Sequence, residues 1–141
     1  MEFYKRVEVP IPVPRLQQDL NLLKLSRWCS SINEVIAREG NRATIHSDWG
    51  TIHVHRELIQ TGVRFSVTDD PQALQWTVTS DGEAVMIHAT INTTECDQAT
   101  RNRLDHFLYC WQQGVEKWPA RHAAEERRGC VNCGDSFGGF G

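Results

Sequence analysis

The residue types best able to do chemistry sit near the C-terminus, where two residues separate Cys130 from Cys133 and Gly134 follows. In a Cys-x-x-Cys step the chain turns so that both sulfurs face one point, and glycine accepts the positive φ needed to leave that turn. Such a step is half of a tetrahedral metal site or a complete dithiol. Glycines at 129, 134, 138, 139 and 141 surround it, so residues 129–141 read as a flexible tail. Zinc would need two further ligands. His106 and Cys110, four residues apart on a helical pattern, share one side of that helix. They complete a candidate zinc set with Cys130 and Cys133, with His122 as a substitute. Alternatively the tail thiols form a mobile dithiol carrying electrons or sulfur between partners, with Arg127 and Arg128 favouring the thiolate. The other cysteines offer less. Cys29 reads as a small buried hydrophobe, and Cys96 is flanked by Glu95 and Asp97, which oppose a thiolate.

A second constellation is made of histidines. The middle of the chain alternates apolar and polar residues with period two, which places His46, His53, His55, Arg64 and His88 on the polar face of a sheet. Two imidazoles two residues apart on a strand point the same way, so this face is a candidate second metal site or a surface for another protein or a second copy of the chain. It also fits a plain solvated face, on which threonine and histidine are good strand residues. A third candidate is a pocket between sheet and terminal helix, lined by Phe65, Trp76, Phe107 and Trp111. Aromatic residues on an apolar stripe equally suit a packed core.

The elements that would position these residues follow from periodicity. Phe3 to Val9 alternates and is ended by Pro10, Pro12 and Pro14, so it reads as an edge strand. Arg15 to Glu39 reads as helix, broken near Asn21 to Ser26 because its two apolar stripes lie on opposite sides, with Ser26 as a cap and Gly40 as the stop. Five strands follow as an antiparallel meander. Asp48-Trp49 as a hairpin tip sets Ile45 opposite Ile52 and Ala43 opposite Val54. Asp81-Gly82 as a two-residue turn sets Val78 opposite Val85 and Trp76 opposite Ile87. A last helix, capped by Thr93 or Thr94, carries Leu104, Phe107, Leu108, Trp111, Val115 and Trp118 on one stripe. Pro119 interrupts it before a short charged helical stretch from Ala120 to Arg128.

These residues predict a two-layer α+β domain over 1–128 with helices on one face of a mostly antiparallel sheet, and a tail over 129–141. The order of elements resembles that of helix-grip folds. That resemblance implies a sheet wrapped around the C-terminal helix and an apolar pocket between them, with at least one strand fewer here.

The chain has 141 residues and a net charge of −3, with 40% apolar and 23% charged residues, enough to bury a single core without disulfides. A pI near 6.0 argues against an electrostatic hold on nucleic acid. The charged N-terminal stretch, the lack of a long apolar run and five unevenly spaced cysteines predict a cytoplasmic protein with reduced thiols and no membrane contact. There is no Gly-x-Ser-x-Gly, no His-Glu-x-x-His and no phosphate-binding glycine loop. The leading expectation is therefore an accessory or interaction protein, rather than an enzyme, with a structural or regulatory zinc site. The dithiol carrier and the small-ligand-binding protein are the alternatives.

Overall fold

The computed structural model describes residues 1–126. The candidate thiols Cys130 and Cys133, and the tail that holds them, lie outside the described residues.

Proline sets the first turn of the chain. Strand β1 (Glu2–Val7) ends before Pro10, and the fixed φ of Pro12 and Pro14 then opens α1 (Val13–Asp19), where a missing N–H costs nothing. A 3-10 turn (Leu22–Lys24) and α2 (Leu25–Trp28) follow. The buried residues of this stretch are Leu16, Leu20, Leu22, Leu25 and Trp28. Its break falls where the two apolar stripes require it.

The second half of the expected helix is instead a strand. Ile32–Glu39 forms β2, paired antiparallel with β3 (Arg42–Ser47) at the sheet edge, with register shifts between Ile32 and Glu34 and between Val35 and Ala37. Each shift moves the apolar residues out of strict alternation, so Ile32, Val35 and Ile36 mimic a helical spacing. The strand missing from the helix-grip order is thereby supplied.

The meander continues through β4 (Gly50–Ile59), β5 (Gly62–Val67), β6 (Gln75–Ser80) and β7 (Val85–Thr90). Seven strands form one antiparallel sheet in the order β1-β7-β6-β5-β4-β3-β2. The β3–β4 hairpin has the expected register, Ile45 opposite Ile52 and Ala43 opposite Val54. The β6–β7 hairpin is shifted by two: Val78 faces Ile87, Trp76 faces Ala89 and Ser80 faces Val85. The cause is the Asp81 carboxylate, which accepts from both Glu83 N and Ala84 N, each at 2.9 Å, and so closes a four-residue loop rather than a two-residue turn. A shift of two leaves every side chain on its expected face.

Helix α3 (Gln98–Glu116) packs on the apolar face of the sheet with Leu104, Phe107, Leu108, Trp111 and Val115 of the expected stripe buried, and Trp118, also buried, lies just beyond its end. Its N-cap is Asp97, whose side chain accepts from Thr100 N at 2.8 Å, not Thr93 or Thr94, which precede it in the connection from β7. Cys110 is buried as well, although it is not part of that stripe. Gly114 lets α3 touch α2: a Cβ there would overlap the Trp28 carbonyl. Helical residues 118–126 then pack back on the short helices. Trp118 Nε1 donates to Asp19 Oδ2 at 2.8 Å, and the Arg121 guanidinium lies 5.4 Å over the Trp28 ring.

Candidate ligand-binding cleft

At one end of the sheet the short helices fill the space between sheet and α3. At the other end no helix among the described residues does. There the β3–β4 hairpin, the β5–β6 loop, the end of β7 and the first turns of α3 surround a cleft of about 290 Å³. Its apolar walls are Trp49, Ile52, Val67, Leu74, Ile91 and Leu104. Asp69, Asp70, Gln72, Thr100 and Arg103 give it a polar rim. An apolar body with a polar rim is the usual composition of a small-molecule site, and the volume is at the lower end of that class.

The rim is built rather than loose. Val67 N donates to Leu74 O at 2.9 Å and Asn92 N to Gln72 O at 2.8 Å, so the ladder continues beyond the strand ends. Asp70 accepts from Gln72 N and Leu74 N at 3.0 and 3.1 Å, and Ala73 takes a φ of 51°. That is a left-handed conformation that alanine adopts only under tertiary constraint. Asp69 is tied to β4: its Oδ2 lies 2.7 Å from His53 Nδ1, and its Oδ1 accepts from His53 N at 3.3 Å. The bond to the His53 side chain is the main reason its carboxyl is held below the usual carboxylate range.

Phe65, Trp76, Phe107 and Trp111 do meet, but as a packed cluster behind the cleft and not as its lining. Their ring centroids are 4.9 to 6.4 Å apart, and none is more than 3% exposed. Trp49 connects cluster and cleft, with its ring 5.1 Å from Phe107. Sequence reasoning treated Trp49 only as part of a hairpin tip. The available signal was an indole where turn chemistry favours Asn, Asp or Gly. The indole Nε1 atoms of Trp76 and Trp111 are buried without a hydrogen-bond partner among the described residues.

The histidine face is polar and outward, as its alternation requires, but its members are paired separately. His46 Nδ1 lies 2.9 Å from Thr51 Oγ1, His53 pairs with Asp69, and His88 stacks on Tyr4 at 4.3 Å while its Nε2 lies 2.9 Å from Glu2 Oε1. Bonds from Tyr4, and then from His88, hold the Glu2 carboxyl below its usual range. Arg64 Nη1 donates to Glu57 at 2.9 Å. His55 sits between Arg42 on β3 and Ser66 on β5.

His106 and Cys110 come together as expected, with Nε2 and Sγ 3.4 Å apart, and Ser31 Oγ donates to the same sulfur at 3.3 Å. Asp48 Oδ2 is 4.0 Å from His106 Nε2. His122 is engaged elsewhere, stacked on Trp118 with Nδ1 3.0 Å from Arg15 Nη2. Among the described residues no three His, Cys, Asp or Glu side chains converge as a metal site. Burial pushes the Cys29 thiol up to about 12, which leaves it an inert core residue.

A seven-stranded antiparallel meander gripping a C-terminal helix, with two short helices after the first strand, is a helix-grip-like α+β fold. Among the solved structures similar to it are two from bacteria. One is an uncharacterised protein from Bacillus thuringiensis, with a TM-score of 0.56 and 12% identity over 82% of this chain and 97% of that one. The other is a START superfamily protein from Mycobacterium smegmatis, with a TM-score of 0.53 and 9% identity over 83% of this chain and 98% of that one. At such identities the likeness is one of fold. No protein-family model and no curated protein matches the sequence. Among the described residues no helix is long and apolar enough to cross a membrane.

Proposed function

We propose that this protein binds a small, mainly apolar molecule in the cleft between the first turns of α3 and the open end of the sheet. The observation that carries this reading is the cleft itself. A volume of about 290 Å³ is walled by apolar side chains at the end of the grip that no helix among the described residues fills. Leaving that space unfilled forgoes dispersion and burial that the opposite end of the same fold collects. The polar rim would orient an occupant, with Arg103 and Thr100 on α3 facing Asp69 to Gln72 across the mouth.

Thermal shift against a panel of aromatic and aliphatic amphiphiles tests this. A ligand with its Kd a hundredfold below its free concentration stabilises the native state by about 2.7 kcal/mol. Thr100→Trp narrows the mouth from a half-exposed position on the helix surface. It should abolish the shift while leaving the unliganded melting temperature within a few degrees of the parent. A panel that shifts neither protein, or both alike, rejects the cleft as the site.

A second reading rests on a separate observation. His106 Nε2 and Cys110 Sγ are 3.4 Å apart, close to the separation that two ligands of one tetrahedral zinc require. In this reading Cys130 and Cys133 complete the site and zinc has a structural or regulatory role. Protein purified without a metal-binding tag would then carry about one zinc per chain. Both Cys110→Ser and Cys130→Ser would remove it, whereas metal-free parent protein discards the reading.

A further inference from the structure

The four buried tryptophans of this fold divide into two kinds. Trp28 and Trp118, at the filled end, both donate through Nε1 to Asp19, one to its carbonyl and one to its carboxylate. Trp76 and Trp111, 1% and 0% exposed, have no acceptor for Nε1 among the described residues. A buried N–H donor without a partner costs more than an average hydrogen bond contributes, and native folds retain few of them.

Both indoles belong to the aromatic cluster that Trp49 joins to the cleft wall. Trp76 follows Leu74 by two residues on the same face of the sheet, about 7 Å further in. Trp111 lies two helical turns beyond Leu104 on the buried stripe of α3. Phe107 stands between, with its ring 4.9 Å from Trp76, 6.4 Å from Trp111 and 5.1 Å from Trp49 of the cleft wall. An occupant reaching these donors from the cleft would have to displace the Phe107 ring, which lies between Trp49 and the two indoles.

We propose that the occupant is an apolar molecule that leads with an uncharged hydrogen-bond acceptor, a ketone, ester or amide carbonyl, which meets Nε1 of Trp76 or Trp111. The acceptor is uncharged because the surrounding Phe65, Phe107 and paired indoles supply no countercharge, so a carboxylate would be desolvated without compensation. This inference rests on the cleft reading and specifies its ligand class. The competing account is a buried water that satisfies both indoles.

Benzophenone and diphenylmethane, which differ by a carbonyl in place of a methylene, separate the two accounts in the full-length chain. Indole N–H resonances of ¹⁵N-labelled protein are assigned with Trp76→Phe and Trp111→Phe. Benzophenone should bind about tenfold more tightly than diphenylmethane and move one of the two resonances downfield. The Phe variant at that position should lose the preference. Equal binding of both probes with both resonances unmoved overturns the acceptor and leaves the cleft standing. Binding of panel amphiphiles with neither probe bound also overturns it. If nothing at all binds, the cleft reading falls and this inference falls with it.

Discussion

The two ends of the grip are made from the same sheet and the same helix, yet they are finished in opposite ways. At the filled end, Leu16, Leu20, Leu25 and Trp28 are each no more than 2% exposed, and Gly114 allows backbone-to-backbone contact between α2 and α3. Asp19 gathers two indole donors and Arg15. At the open end a loop with a left-handed alanine and a half-buried indole border the cleft, and behind them stand two indole donors with no acceptor among the described residues. Native stability is a small difference between large terms, so a fold that collects full packing at one end can leave the other incompletely filled. The difference teaches that the first end is the anchor, and it leaves the second as the end to which the proposed function assigns binding.

Substitutions can break or sharpen that contrast. Gly114→Ala should have the largest effect, because the added Cβ meets Trp28 backbone rather than a movable side chain. A loss of about 3 kcal/mol or more in denaturant unfolding is expected. A near-neutral result would mean that the helices part easily and that the end is not an anchor. Leu20→Ala should follow at about 3 kcal/mol, and Leu74→Ala, already beside a cavity, at about 1 to 2 kcal/mol. Equal losses from the two leucines would erase the contrast. Asp97→Ala removes the cap of α3 at the open end and should cost about 1 kcal/mol.

The smallest effect is one of pH. Asp69, whose folded-state carboxyl lies below its ordinary value of 3.8, contributes stability that is present above that value. It is lost as pH falls through the lowered folded-state value. The pair with His53 is about half exposed on both sides, so screening keeps the contribution small. Comparing parent and Asp69→Asn melting curves between pH 2 and 6 should show the parent's advantage disappearing only at the acid end. An advantage that persists at pH 2 would place the role of Asp69 elsewhere.

What could be read from the residues depended on whether one period governed them. The faces of β3 to β7 were legible because Val63, Phe65, Val67 and their neighbours alternate without interruption, and the stripe of α3 because Leu104 to Trp118 keeps one helical face. The Ile32–Glu39 strand was not legible, since its two register shifts break the alternation. The β6–β7 register was missed because a side-chain carboxylate, not a dipeptide preference, sets the loop. The cleft was hidden for a further reason. Its walls come from four separate segments, and only topology brings Trp49, Leu74, Ile91 and Leu104 to one place. The His106–Cys110 pair was visible because i,i+4 spacing is local. The burial of Cys110 was not, because it depends on a residue distant in sequence, Ser31, whose hydroxyl reaches its sulfur from just ahead of β2.

The irregular pairing of β2 also bears on how the molecule behaves in a crowded solution. An outermost strand with regular hydrogen-bond spacing is a template onto which another chain can add itself. The offsets in β2 disturb that spacing, and Glu34, Arg38 and Glu39 place charge along the same border. Any strand arriving from a neighbour would meet groups out of step and side chains that resist desolvation. The feature that obscured this segment in the sequence thus serves as a guard against polymerisation at that border of the sheet.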